Sequence, residues 1–130
     1  MQKNINTQNS PGQGRVGFRE LTKRVRLQVE ADTFPVRDKA QVDELCYIIA
    51  EVYSLHESAQ VRIDGEQYSA ATIAEVFSLL TAEHLQYVIE HFNSLTYHVT
   101  HKKSYLRTAL YYSIFELASA AANDAAQNSL

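Results

Sequence analysis

The chain has one cysteine, Cys46, in 130 residues. That excludes an internal disulfide framework and any zinc site built on cysteines. Four glycines occur, and Gly12, Gly14 and Gly17 all precede residue 18, leaving Gly65 alone in the rest of the chain. No GxGxxG and no glycine loop able to cradle a phosphate is present, and GxSxG is also missing. The usual nucleotide-binding and serine-hydrolase signatures are therefore absent. No apolar run approaches the length that spans a bilayer. The first residues lack the apolar segment of a secretory signal, so the expected compartment is the cytoplasm.

What remains is ordinary in amount and uneven in placement. Apolar residues make up 45% and charged residues 21%, which fits one domain with a single core. Residues 1–16 are rich in Asn, Gln, Ser, Pro and Gly and have little to bury. They read as a disordered linker, and a linker at this position suggests a piece of a longer protein. Residues 17–122 carry the periodic apolar pattern. Residues 123–130 lack it and read as a flexible tail.

The net charge of −3 hides a segregation along the chain. Seven of the twelve basic residues lie between Arg15 and Lys39. From Ala40 to Thr100 the only basic residue is Arg62, against nine acids. Lys102, Lys103 and Arg107 then restore positive charge. An acidic middle between two basic segments gives a polarised surface if folding brings those segments together; solvated helix faces are the plainer reading.

The expected fold class is mainly α, about five helices with a small two-stranded β-hairpin. Phe18 to Val29 reads as a weakly amphipathic helix through Phe18, Leu21, Val25 and either Leu27 or Val29, and Pro35 separates it from the next. Asp38 to His56 places Val42, Leu45, Cys46, Ile49, Val52, Tyr53 and His56 on one face, with Asp38 as N-cap. Val61 and Ile63 alternate with Arg62, and Asp64-Gly65 is a hairpin turn signal. Ser69 caps a helix to Leu79 or Leu80. Thr81 caps another to about Asn93, with Leu85, Val88, Ile89 and Phe92 inward. Residues 95–101 read as a connector or short helix, and a last helix runs from Lys102 to Ala121 or Ala122.

No catalytic constellation emerges from these elements. Asp43 and Glu44 are adjacent on a helix and point apart. His84 and His91 lie two turns apart, roughly 10 Å along the axis, too far for one metal ion. His98 and His101 approach each other only if their turn is helical, and no HExxH-type spacing exists. No metal and no cofactor is therefore expected, and His84 is assigned a local role at its helix start. Cys46 falls on a buried face and reads as a small apolar residue. An enzyme would need a deep polar pocket holding a perturbed acid or base.

The candidate binding residues are Lys102, Lys103, Arg107, Tyr111 and Tyr112. Cations at a helix start oppose the helix dipole, a cost that favours a role in contact. Tyrosines beside basic residues are also what single-strand nucleic-acid binders use for stacking. Tyr105 is expected to fill core, with one of Tyr111 and Tyr112 exposed.

Three segments in order carry a resemblance: Val61 to Tyr68, Thr81 to Val88, and Lys103 to Tyr111. They follow the pattern I-R-I-x-G-x-x-Y/M, with Val61 at its first position, then [ST]-x-x-H-[IL]-x-Y-V, then K-x-Y-L-x-x-A-L-Y. Across roughly Val42 to Leu117 the chain resembles the C-terminal domain of replication initiator protein A from plasmids and integrative elements of Firmicutes. That domain is in turn similar to the C-terminal domain of the primosome protein DnaD. Longer members carry a winged-helix origin-binding domain ahead of a linker, and the polar start here matches such a linker. The resemblance implies a non-catalytic helical module that recruits replication proteins, such as primase or helicase-loading machinery. It implies DNA contact through the full-length protein and leaves self-association open; no membrane partner is expected. The acidic middle suits a protein partner at least as well as DNA. Direct single-stranded DNA binding by the basic and aromatic residues is the alternative.

Overall fold

Helix α2 (Lys39–Tyr53) is the element around which the others pack. The computed structural model describes residues 17–128, so the linker expected over residues 1–16 lies outside the described residues. Val42, Leu45, Cys46, Ile49 and Val52 of α2 are buried as their spacing requires. Ile48 and Ala50 are buried too, because α2 meets α1 (Phe18–Gln28), α3 (Ala70–Phe77), α4 (Ala82–Asn93) and α5 (Lys102–Asn128). A helix touched from several sides buries more than one stripe.

Helix α1 turns Val25 inward, and Val29, one turn on, is buried just past its end. Leu27 points outward and is 80% exposed, which settles the choice between the two. Glu30 follows in a left-handed conformation (φ 54°), and two single 3-10 turns, Ala31–Thr33 and Val36–Asp38, lead into α2. Asp38 stands at the N-cap position but makes no side-chain cap bond. Its backbone is already helical (φ −96°, ψ −3°) as the last residue of the 3-10 turn, whereas a capping side chain needs extended backbone.

Strands β1 (Gln60–Ile63) and β2 (Glu66–Ser69) form the expected antiparallel hairpin, with Ile63 opposite Glu66. Asp64 (φ 52°) and Gly65 (φ 84°) both adopt positive φ, the two-residue turn that matches strand twist. Val61 and Ile63 face the core, and Arg62 faces out. Ser69 caps α3 by accepting from the Thr72 N–H at 3.2 Å. At the other end of α3, the Gln28 side-chain amide donates to the carbonyls of Phe77 (2.9 Å) and Leu80 (3.0 Å). Tyr53 donates its hydroxyl to Gln28 Oε1 at 3.0 Å, so one polar cluster ties α1, α2 and the end of α3 together.

Thr81 opens α4, and His84 reaches back so that its Nδ1 accepts the Thr81 N–H at 3.0 Å. This is the reciprocal half of a capping box, with histidine in place of the usual Glu or Gln. The local role expected for His84 is met. Residues 95–101 are irregular, without a helix. Helix α5 buries Leu106, Leu110, Ser113 and Ile114. It then continues to Asn128, past the expected end at 121 or 122, although residues 118–128 are all exposed. Six alanines between Ala118 and Ala126 favour helix without any apolar stripe to bury, so apolar periodicity understated its length. Among the described residues the fold is five α-helices and one two-stranded antiparallel hairpin. No helix among them is long and apolar enough to cross a membrane.

Candidate functional site

Adjacent residues on a helix point about 100° apart, so Lys102 and Lys103 do not act as one double charge. Lys102 Nζ lies 3.0 Å from Glu44 Oε1 and 5.2 Å from the centre of the Phe92 ring. Lys103 Nζ lies 3.1 Å from Glu51 Oε2, with the Tyr47 ring 6.0 Å away. Glu44 and Glu51 are two turns apart on α2 and receive the two ammonium groups separately. The unfavourable placement of two cations at a helix start is thus offset by acids from a neighbouring helix. Each pair is partly solvated and contributes at most about 1 kcal/mol. The acidic middle and the basic start of α5 interleave here instead of forming separate poles.

Arg107, one turn after Lys103, has a different setting. Its Nε donates to the Arg62 carbonyl at 3.4 Å. Arg62 in turn donates to the Gly65 carbonyl at 3.3 Å. Among the described residues neither guanidinium is paired with an acid. Both line an open groove of about 430 Å³ between α2, the hairpin and α5, together with Lys103, Glu51, Gln60 and Gln67. Arg62 and Gln67 are directly opposite in the sheet register, and Gln60 lies two residues before Arg62, so all three rise from one face of the hairpin. Two unpaired guanidiniums beside amide donors are equipped to take a carboxylate or a phosphate.

Arg62 was not among the residues expected from the sequence. Its signal was there, as the lone base in the acidic middle at an outward strand position. What joins it to Arg107 is the packing of the hairpin on α5.

The tyrosines belong elsewhere. Tyr111 is half-buried, its ring centre 5.9 Å from Tyr68, 5.2 Å from Phe115 and 5.4 Å from Tyr112. Tyr112 is the exposed member of the pair, and its hydroxyl donates to Asp64 Oδ2 at 3.0 Å. That bond to a carboxylate raises the Tyr112 pKa and keeps the hydroxyl protonated. Tyr105 is partly buried against Phe92, with ring centres 6.0 Å apart. The five residues expected to form one basic and aromatic patch therefore divide. Lys103 and Arg107 share the groove, Lys102 sits on the flank toward α4, and Tyr111 and Tyr112 join an aromatic cluster that ties the hairpin to α5.

Among the described residues no group of three His, Cys, Asp or Glu side chains converges to hold a metal ion. Cys46 is buried, and burial pushes its thiol up to about 11. A comparison with models of known protein families, with curated proteins and with solved structures finds no match to this chain.

Proposed function

We propose that the chain is a non-catalytic docking module of a replication initiator carried by a plasmid or other mobile element. It works in the cytoplasm, recruiting replication proteins such as primase or helicase-loading machinery. The observation that carries the docking mechanism is the groove in which Arg62 and Arg107 lie without acidic partners among the described residues. An acidic segment of a protein partner supplies carboxylates that two guanidiniums bind in a forked geometry. The replication setting draws support from the resemblance over the hairpin, the start of α4 and the start of α5, three segments that all lie in the folded body.

Single-stranded DNA is the lesser reading. Lys102 and Lys103 are engaged by Glu44 and Glu51, and the Tyr111 ring is packed in tilted and edge contacts inside the aromatic cluster. Few cations and few ring faces then remain for a strand to use.

The groove is tested with the exchange R62E/R107E. Both side chains are at the surface, and neither has an acid partner among the described residues to leave behind. Capture of primase or helicase-loading proteins from the host is expected to fall at least tenfold, with the thermal midpoint nearly unchanged. Undiminished capture by the double variant would remove the groove from the docking mechanism. Anisotropy of a labelled single-stranded oligonucleotide at low salt decides the second reading. Tight binding that weakens steeply with salt, and loses slope in R62E/R107E, would favour DNA over a protein partner.

A further inference from the structure

On the opposite side of α5 lies a pocket that the groove does not involve. It opens between α4 and α5 with a volume of about 170 Å³. That is comparable to the roughly 150 Å³ cavity known to take up benzene. Tyr87, Tyr105 and Tyr112 form its walls with His91, and Glu116 stands among them. The Tyr87 hydroxyl donates to Glu116 Oε1 at 3.0 Å, which raises the Tyr87 pKa and holds the carboxylate in place. The second oxygen of Glu116 has no partner among the described residues. The His91 ring is stacked near Tyr87, with centroids 6.4 Å apart and planes 20° apart.

Tyr105 and Thr108 also line an adjoining hollow of about 470 Å³, bounded by the 97–101 connector and the hairpin turn at Asp64. Among the described residues no lysine or arginine lines either space. This sets Glu116 apart from Asp43, Glu44 and Glu51, each of which has a base within 3.1 Å.

We infer that this pocket binds an arginine side chain presented by a segment of a partner protein. Tyrosine faces attract a cation through the ring quadrupole. The guanidinium is planar, so it can lie against an aromatic wall and still direct its edge at the free oxygen of Glu116. An ammonium group, compact and strongly hydrated, satisfies the carboxylate but stacks poorly. Asp64, bonded to Tyr112, extends the negative potential toward the adjoining hollow, where the rest of the segment lies. Two carboxylates, with no lysine or arginine beside them among the described residues, make this surface a poor site for phosphates, so a nucleic acid is not the occupant. The inference does not rest on the Arg62–Arg107 groove.

The test is an amide-resolved NMR titration of the full chain with capped tripeptides Gly-Arg-Gly, Gly-Lys-Gly, Gly-Phe-Gly and Gly-Glu-Gly. The arginine peptide is expected to shift the amides of Thr108, Ala109 and Tyr112 saturably in the millimolar range. The lysine peptide should bind several-fold more weakly, and the other two should leave these amides in place. E116Q should weaken the arginine peptide about tenfold, and Y87F a few-fold, with the folded spectrum kept. R62E/R107E should bind it as the wild type does, which separates this site from the groove. Equal shifts by the phenylalanine and arginine peptides would reduce the pocket to an apolar crevice. Unchanged affinity in E116Q, or no saturable shift, would overturn the proposal.

Discussion

Cys46 is 1% exposed within the packed face of α2, and the apolar surroundings disfavour its charged form. With the thiol near 11, only roughly one molecule in a thousand carries a thiolate at pH 8. A disulfide exchange reagent is therefore expected to leave the native chain unmodified at pH 8 and to release one equivalent of product once the chain is unfolded. Rapid labelling of the folded protein would contradict the buried placement. Arg26 shows the opposite economy of position, donating to Asp32 at 2.7 Å and also to Asp43, which lies on α2. The Arg26 hydrogen bond, first among the causes, holds the Asp43 pKa below the ordinary carboxylate value. That contribution is present above the usual carboxylate pKa and is lost as pH falls through the depressed value. Both residues matter for what surrounds them, and neither carries a signature that marks its partner in advance.

At the scale of elements, the ends were written more plainly than the lengths. Ser69 and Thr81 open their helices, and Asp64-Gly65 turns the hairpin, because capping and turn chemistry act within a few residues. Asp38 has a capping residue's chemistry but lacks the backbone for it, since a 3-10 turn runs straight into α2. The capping box of α4 has a pH signature. Burial lowers the His84 pKa, so the folded chain prefers the neutral ring whose Nδ1 accepts the Thr81 N–H. Stability from this contact is present above the unfolded value of about 6.5 and is lost as pH falls below it, toward the depressed folded value. Denaturant titrations at about pH 7 and pH 5 should show wild type losing more stability on acidification than H84Q, whose amide keeps the box at both values. Parallel losses in the two proteins would show that His84 does not set the dependence.

For the whole molecule, the body is complete by Leu117. Beyond it α5 extends through residues 118–128, about 16 Å of helix with every residue exposed. An isolated segment of this length is marginal in water, and its alanines favour helix without adding core. Truncation after Leu117 is expected to change unfolding stability by no more than about 0.5 kcal/mol while lowering the helical circular dichroism signal. A larger loss of stability would mean that this segment packs on the body. The charge pattern is also resolved only at this scale. Nine acids between residues 40 and 100 look like one pole of the molecule until α5 lays Lys102 and Lys103 against Glu44 and Glu51.

The amino-acid sequence by itself determined what depends on near neighbours along the chain. Period 3.6 placed Val42, Leu45, Cys46, Ile49 and Val52 on one buried face, period 2 set Val61 and Ile63 inward, and two residues with positive φ closed the hairpin. Only the tertiary structure decided which charges are free. Arg62 and Arg107 are 45 positions apart, and Lys103 and Glu51 are 52 apart. Their side chains meet because α2, the hairpin and α5 pack on a shared core. That packing pairs Lys102 and Lys103 with acids and leaves two guanidiniums facing an open groove. A charge acts on its spatial neighbours over a few ångströms, and residues this far apart along the chain become neighbours only when the core closes.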